Sequence, residues 1–436
     1  MVRLLALCIL YSLTAQGQTV VTSVQEALAL AQNRNPDLQN SLQNRQLQDQ
    51  QKTVARAARL PQARVYANFD YNYALPTQLL PAEFLGGKPG EFQKIQFGVP
   101  YVFTPTAEVT MPLINRPARV DLAITDQNLK ILDDQKLVLQ DDISTQTARI
   151  YHATLLARAA IQITGRNLSS ADTLVQIARD RLDKGLIEPL EYNRIRSVQL
   201  TTADVLQQNE LIYGRNLNQL KVLLGLTVAD SLVLTESLLQ PAMTPEGPVA
   251  GMWPKRPQIT LKESQLALYR LQLDREKAMR WPTLSAYGRF AEQAQRKQFD
   301  FFNLNQPWYA VGVAGLQFNL PLYSGGLRDS NIGRARMRIK LAEAELAYEQ
   351  IKQDLDQADL QNTYRQAVRS LSLNRQNYEL SQQNVQIALV KYRSGLFAYD
   401  QYLNVFNDAL TAQNRYLNNV SNAFINQTIL QIRHGK

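Results

Sequence analysis

This sequence of 436 residues is nearly free of the side chains that build thiol and metal sites. It has one cysteine and two histidines. Cys8 lies in a leader-like stretch, and His152 and His434 have no catalytic or ligand partner at a fitting spacing. Thiolate zinc sites and cysteine nucleophiles are therefore excluded from a chain that has lost its leader. The sequence predicts no catalytic residues, no metal site and no cofactor, and hence a protein that is not an enzyme.

Long hydrophobic runs are also missing. Residues 1–17 combine a short basic start, an apolar core and the small-residue ending Ala15-Gln16-Gly17, which is typical of a secretory signal peptide. No later window of 18 residues is apolar throughout, and we expect no transmembrane helix. An exported chain without such helices can still enter a membrane as a closed β-barrel.

The chain also lacks runs of like charge. Its net charge is +9, but basic and acidic residues are mixed along the predicted helices. This pattern is typical of a solvated helical surface. Nucleic acid is not an expected partner.

The chain repeats one plan, and this repeat predicts its organisation. The matched segments are "NPDL" (35–38) with "RPQI" (256–259), "LPQARVYANF" (60–69) with "WPTLSAYGRF" (281–290), "MPLI" (111–114) with "LPLY" (320–323), and "RLDKGLIEPLEY" (181–192) with "KYRSGLFAYDQY" (391–402). We predict a first repeat over 18–226 and a second over 257–436. The proline-rich segment 227–256 is predicted to be a linker that packs outside the helical body and contains at most a short helix.

Each repeat is predicted to contain one β-hairpin, over 62–113 and 283–321. Apolar and polar residues alternate along both, as in outer-membrane strands. The second strand of the first hairpin is expected to begin at Phe97, after a longer loop around 75–97 whose tip is "GGKPGEF". Four strands cannot close a barrel, so several chains must share one. A dimer would give eight strands and a trimer twelve, and these patterns do not choose between them.

The remainder is predicted to be helical. The segments 116–183, with no proline after Pro117, and 327–392, with none at all, predict two helices of about 100 Å each. Apolar and small residues recur every seven positions along both, which indicates coiled-coil packing. Shorter helices are predicted at 24–59, 188–224, 257–280 and 399–433.

The duplicated plan, the exit "LPLYSGG" and the turns "DKGLIEPLEY" and "RSGLFAYDQYLNV" resemble the TolC-like outer-membrane efflux factors along nearly the whole mature length. The resemblance implies a mostly α-helical homotrimer in the outer membrane of a Gram-negative bacterium. Its three chains would share a 12-stranded barrel above a helical periplasmic tunnel. It also implies a periplasmic adaptor and an inner-membrane pump as partners.

The resemblance carries over to two sets of residues near the turns. Contact with the adaptor is implied for Lys184, Gly185, Leu186, Ser394, Gly395 and Leu396. The family often narrows its periplasmic entrance with aspartates six and nine residues past the second turn glycine, but this sequence has amides there. The corresponding constriction would be formed by Glu191, Tyr399, Asp400, Gln401, Tyr402 and Asn404.

The strand-to-helix exits are a third candidate site. Pro112 and Pro321 are predicted to end hydrogen bonding in the two hairpins. Gly325 and Gly326 are predicted to let the chain turn from strand to helix.

The function predicted from these features is a passive exit duct of a tripartite efflux or type I secretion system. A non-conducting coiled-coil scaffold is the first alternative, although a scaffold needs no lipid-facing strands. An unassisted porin is the second, although a porin needs no long helices. The sequence does not identify the exported substrate.

Overall fold

The computed structural model describes residues 19–86, 88–238, 253–303 and 305–434. The predicted signal peptide, 1–17, lies outside these ranges. The elements in chain order are β1 (Thr19–Val21), α1 (Val24–Arg34), α2 (Pro36–Ala57), β2 (Gln62–Tyr71), β3 (Thr77–Pro81), a 3-10 turn (Ala82–Leu85), β4 (Phe92–Gln96), β5 (Tyr101–Ile114), α3 (Arg116–Asp183), α4 (Pro189–Leu223), β6 (Leu232–Leu234), α5 (Pro257–Ala278), β7 (Thr283–Arg296), β8 (Tyr309–Asn319), α6 (Leu327–Arg393) and α7 (Tyr399–His434). No helix among the described residues carries an apolar stretch sufficient to cross a bilayer.

The structure divides into two compact units, and neither is a single repeat. Among the described residues, a helical unit takes 19–44, 132–238, 253–263 and 344–434. A sheet-bearing unit takes 45–86, 88–131, 264–303 and 305–343. Each unit therefore combines parts of both sequence repeats. The repeats describe the order of elements along the chain, not separate folding bodies.

The two predicted hairpins join into one antiparallel sheet of order β2-β5-β7-β8. β5 pairs with β7, which brings the two repeats together at the centre of the sheet. The outer strands β2 and β8 each have one edge that no strand of the described residues pairs with. The predicted class is confirmed: the chain is mostly α-helical, and its two hairpins form one four-stranded sheet.

The two faces of this sheet differ in chemistry, as the alternation predicted. Exposed apolar side chains cover one face and include Val65, Phe69, Val109, Phe290, Leu316 and Phe318. The opposite face carries mainly polar side chains, among them Arg64, Glu108, Thr110, Tyr287, Arg289 and Gln317. We call these the apolar face and the polar face.

The loop of the first hairpin is more ordered than predicted. β5 begins at Tyr101, not at Phe97, because Gly98 has a φ of 111° and interrupts the extended chain. Residues 92–96 instead form β4, which pairs with β3 in a separate two-stranded ribbon. Alternation continues through both segments, so sequence pattern alone does not reveal the interruption.

The predicted helix at 24–59 is two helices. Asn35 lies between α1 and α2, its Oδ1 accepts from the Asp37 amide at 2.9 Å, and its Nδ2 donates to the Leu223 carbonyl at 3.1 Å. An asparagine before proline is a favoured helix boundary. α3 has the predicted bounds, and α6 ends one residue later than predicted.

The predicted linker at 227–256 contributes to the core of the helical unit. β6 pairs in parallel with β1, matching Thr19 with Leu232 and Val21 with Leu234. Leu232, Leu234 and Leu238 are buried with residues of α1, α3 and α4. The described part of this segment thus forms a strand inside the unit. Residues 239–252 lie outside the described ranges.

His152 is a buried residue of the helical unit. Its Nε2 lies 2.9 Å from the Thr428 hydroxyl, and its ring stacks on Phe424. Burial lowers the pKa of His152 to about 4, so the ring is neutral in the folded protein.

We predict that Gly225→Ala destabilises the helical unit. Gly225 has a φ of 66°, and a Cβ there would lie 2.3 Å from the Arg34 carbonyl oxygen. Backbone atoms cannot move aside as a flexible side chain does, and we expect a loss of about 3 kcal/mol in unfolding free energy. Denaturant unfolding followed by circular dichroism measures it. The control is Gly214→Ala, inside α4 with open space around it, which should be neutral or slightly stabilising. Equal stability of the two variants would contradict the prediction.

We predict that acid weakens the fold through His152. The pKa of His152 is about 4 in the folded protein and 6.5 in the unfolded chain. Between these two pH values only the unfolded chain binds the proton, so acid favours unfolding. The contribution of His152 to the unfolding free energy is fully present above pH 6.5, and up to about 3 kcal/mol is lost as the pH drops to 4. The control is His152→Gln, which keeps a donor for Thr428 and does not titrate. Unfolding free energies at pH 4.5, 5.5 and 7 should decline more steeply for wild type, and parallel curves would refute the assignment.

Candidate functional site

The two Gly-Leu turns have the same geometry. Gly185 and Gly395 have φ values of 68° and 78°. The Leu186 amide donates to the Arg181 carbonyl at 2.8 Å, and the Leu396 amide donates to the Lys391 carbonyl at 2.9 Å. The glycine amides donate to Leu182 and Tyr392, which completes a Schellman motif at both ends. Glycine is required because the motif needs a left-handed residue after the helix.

These turns present apolar side chains to solvent. Leu186 is 69% exposed and Leu396 is 75% exposed. Lys184 and Ser394, just before the glycines, are exposed as well. The turns therefore present two similar surfaces, each with a hydrogen-bonded backbone and an exposed leucine.

Behind the turns, side chains connect the α3–α4 hairpin to the α6–α7 hairpin. The Tyr392 hydroxyl donates to Glu191 Oε1 at 3.1 Å. Arg181 Nη2 donates to the Tyr392 carbonyl at 2.8 Å, and its guanidinium lies 4.7 Å from the centre of the Tyr392 ring. We call Arg181, Glu191 and Tyr392 the hairpin latch.

Burial supports the hydrogen bond in this latch. Tyr392 is fully buried, and desolvation, with the Glu191 carboxylate next, raises the pKa of Tyr392 to about 12. The hydroxyl therefore keeps its proton at neutral pH and can only donate to the carboxylate.

Of the predicted constriction residues, Asp400, Gln401 and Asn404 are exposed on α7, and Glu191 is partly buried in the latch. Asp400 forms an exposed ion pair with Arg194 at 3.3 Å. Gln401 Oε1 accepts from the Ala398 amide at 3.0 Å and so caps the start of α7. Gln401 thus has a local structural partner, whereas Asn404 is an exposed amide.

The predicted tyrosine constriction is wrong for this structure. Tyr399 and Tyr402 are only 3% and 2% exposed. They pack with Leu174, Ala178, Ile195, Val385, Ala388, Phe406 and Ala409 in the core of the helical unit. Residues 399, 402, 406 and 409 share one helical face, and this face packs against the neighbouring helices.

The two strand-to-helix exits are built differently. β5 continues to Ile114, two residues beyond Pro112, with a register shift between Pro112 and Ile114. Pro112 therefore lies in the strand instead of ending it. The Asn115 side chain then accepts from the Ala118 amide at 3.0 Å and caps α3.

The second exit follows the prediction more closely. β8 ends at Asn319, two residues before Pro321, and Gly325 and Gly326 have φ values of 59° and 80°. Arg328 Nη1 donates to the Pro321 carbonyl at 2.9 Å, which ties the turn to the first residues of α6.

Sequence reasoning missed Arg181 and the partnership of Tyr392 with Glu191. The only available signal was position, since Tyr392 lies three residues before Gly395 and Glu191 lies six residues after Gly185. Contact between two hairpins cannot be read from positions within each one. Among the described residues no group of acidic, histidine or cysteine side chains is arranged to hold a metal ion.

The family model for outer membrane efflux protein matches residues 27–226 and 254–431. A search of curated protein sequences gives no match.

Solved structures with a similar fold include CusC, VceC from Vibrio cholerae and the open state of the MtrE outer-membrane channel from Neisseria gonorrhoeae. The CusC match has a TM-score of 0.74 at 16% identity and covers 94% of this chain and 91% of that one. The VceC match has a TM-score of 0.69 at 17% identity and covers 94% and 96%. The MtrE match has a TM-score of 0.71 at 14% identity and covers 94% and 88%.

We predict that replacing both exit glycines, Gly325→Ala with Gly326→Ala, impairs assembly. A side chain in the left-handed region costs about 1–2 kcal/mol per residue, although space around both positions is open. The strain falls where β8, an edge strand, turns into α6. Light scattering of the detergent-solubilised protein should show a smaller assembled fraction. Gly333→Ala, within α6 and also in open space, is the matched control. Equal assembly of both variants would identify the exit as an ordinary loop.

Proposed function

Because the chain belongs to the outer membrane efflux protein family, we propose that it is the exit duct of a tripartite efflux or type I secretion system. Three copies form the duct in the outer membrane of a Gram-negative bacterium, with the helices extending into the periplasm. Substrate arrives from an inner-membrane pump through a periplasmic adaptor, and the duct itself is passive.

The sheet is the observation that carries this proposal. Its apolar face is largely exposed, and both of its outer strands have one edge without a partner strand in the part of the chain that the structure describes. Unpaired backbone groups cost several kcal/mol each in lipid, so a membrane-embedded sheet must close on itself. Pairing β8 of one copy with β2 of the next removes every edge. Three copies give twelve strands, enough for a lumen wider than that of a small side-chain-filled barrel.

The adaptor is proposed to dock at the two Gly-Leu turns. Leu186 and Leu396 are exposed on turns of equivalent geometry, spaced by the repeat. The adaptor is proposed to make the same contact at both turns. Lys184 and Ser394 flank the two leucines and give each contact a polar rim.

The hairpin latch is proposed to hold the closed state. It links the two helical hairpins through one hydrogen bond to a carboxylate and one guanidinium resting on an aromatic ring. Contacts of this kind contribute about 1–3 kcal/mol each, small enough for adaptor binding to break. Opening then moves the α6–α7 hairpin away from the α3–α4 hairpin.

We expect Tyr392→Phe to favour the open duct. This change removes the hydroxyl donated to Glu191 and keeps the buried ring, and the loss of about 1.5 kcal/mol should raise the open probability about tenfold. Single-channel recording of the purified protein in planar bilayers measures it. Tyr378→Phe is the control. Tyr378 lies on α6, as Tyr392 does, but its ring stacks on Tyr416 of α7 and takes no part in the latch.

Asn404→Ala tests the alternative that exposed amides form the gate. It is preferable to Gln401→Ala, which would also remove a helix cap. If the open probability rises in Asn404→Ala but not in Tyr392→Phe, the gate is a ring of exposed amides and not the hairpin latch. An assembled wild-type protein with no conductance at all would refute the duct and favour a scaffold.

A further inference from the structure

We propose that Arg64, Glu108 and Arg289 form a site on the polar face that attracts anions and raises the anion permeability of the duct. This inference rests on the proposed function, which turns the polar face of the sheet toward the lumen. We call the three residues the arginine triad.

The arginine triad lies in one row across three neighbouring strands. Arg64 of β2 and Arg289 of β7 are both register partners of Glu108 on β5. Arg64 Nη2 donates to Glu108 Oε1 at 2.8 Å, and Arg289 Nε donates to Oε2 at 3.2 Å. One carboxylate thus holds two guanidinium groups on the same side of the sheet.

The carboxylate has little capacity left for other partners. The Tyr66 hydroxyl donates to Oε2 at 3.3 Å, and the Thr110 hydroxyl lies 3.4 Å from Oε1. The Glu108 side chain is only 9% exposed, whereas those of Arg64 and Arg289 are 69% and 50% exposed. The part of the triad that solvent can reach is therefore mainly the two guanidinium groups.

The charges of the triad do not cancel. One arginine would neutralise Glu108, and the second leaves an excess of one positive charge per chain. Each guanidinium has five N–H groups and uses only one or two of them on Glu108, so several donors remain free toward solvent. Donors fixed in this way are suited to chloride, carboxylate or phosphate groups.

No other charge on the polar face lies near the triad. The four strands place one further charged residue on that face, Asp70, six residues along β2 from Arg64. At 3.3 Å per residue this is about 20 Å, well beyond the screening length of about 8 Å at physiological salt. The near neighbours Thr106, Thr110 and Tyr287 are uncharged.

Three copies would place six guanidinium groups and three carboxylates in one ring of the barrel. Rings of arginine are a known means by which pores favour anions, and lumen substitutions tune the selectivity of outer-membrane barrels. We therefore assign to this row a preference for anionic solutes over cationic ones.

The experiment is the reversal potential of the purified full-length protein in a planar bilayer under a KCl gradient at low salt. The main variant is the triple substitution Arg64→Gln, Glu108→Gln, Arg289→Gln, which keeps hydrogen-bonding side chains and removes one positive charge per chain. We expect its chloride-to-potassium permeability ratio to fall about twofold or more. Glu108→Gln alone adds one positive charge per chain and should shift the ratio the opposite way.

Arg56→Gln, an exposed residue at the end of α2, is the matched control because it also removes one positive charge per chain. Shifts of opposite sign in the two triad variants, with no shift in the control, support the site. If the wild type conducts and both triad variants have the same chloride-to-potassium permeability ratio as the wild type, the inference is overturned and the proposed duct is not. An assembled wild type without conductance overturns the duct and the inference together.

Discussion

The structure depends on one constraint, which is that the four-stranded sheet is incomplete within one chain. Among the described residues, the outer edges of β2 and β8 have no partner strand, and most of the apolar face is exposed, although Phe299 and Phe301 pack on Phe69. The sheet also connects to helices at one end only. Gln62, Ile114, Thr283 and Asn319 lie together at that end by register, and α2, α3, α5 and α6 join there.

Much of this could be predicted because proline, glycine and alternation mark boundaries strongly. The bounds of α3 and α6, the parity of the strands and the left-handed turn glycines all follow from local chemistry. The pairing of β1 with β6 does not, because each strand has three residues and more than two hundred residues separate them. Such short strands are specified by the core around them and not by their own pattern.

The site was less predictable than the fold, and Tyr399 and Tyr402 show why. A tyrosine on a helix suits a packed face as well as a channel wall, and only the neighbouring helices decide between them. The same limit applies to Pro112 and Pro321. Similar motifs ended the two hairpins, but one exit uses a helix cap at Asn115 and the other uses two glycines. The sequence repeat predicted where each hairpin ends, but not which local structure ends it.

The hairpin latch extends this argument, because the repeat makes its asymmetry visible. At the offset that aligns the two turns, Tyr392 corresponds to Leu182 and Glu191 corresponds to Gln401. Leucine has no donor, so the reciprocal hydrogen bond cannot form. Glu191 and Gln401 both stand three residues inside their helices, yet Gln401 caps α7 while Glu191 binds Tyr392. Each chain therefore has one latch of this kind, in addition to the Asp400–Arg194 ion pair and the packing of Tyr399 and Tyr402 between the same two hairpins.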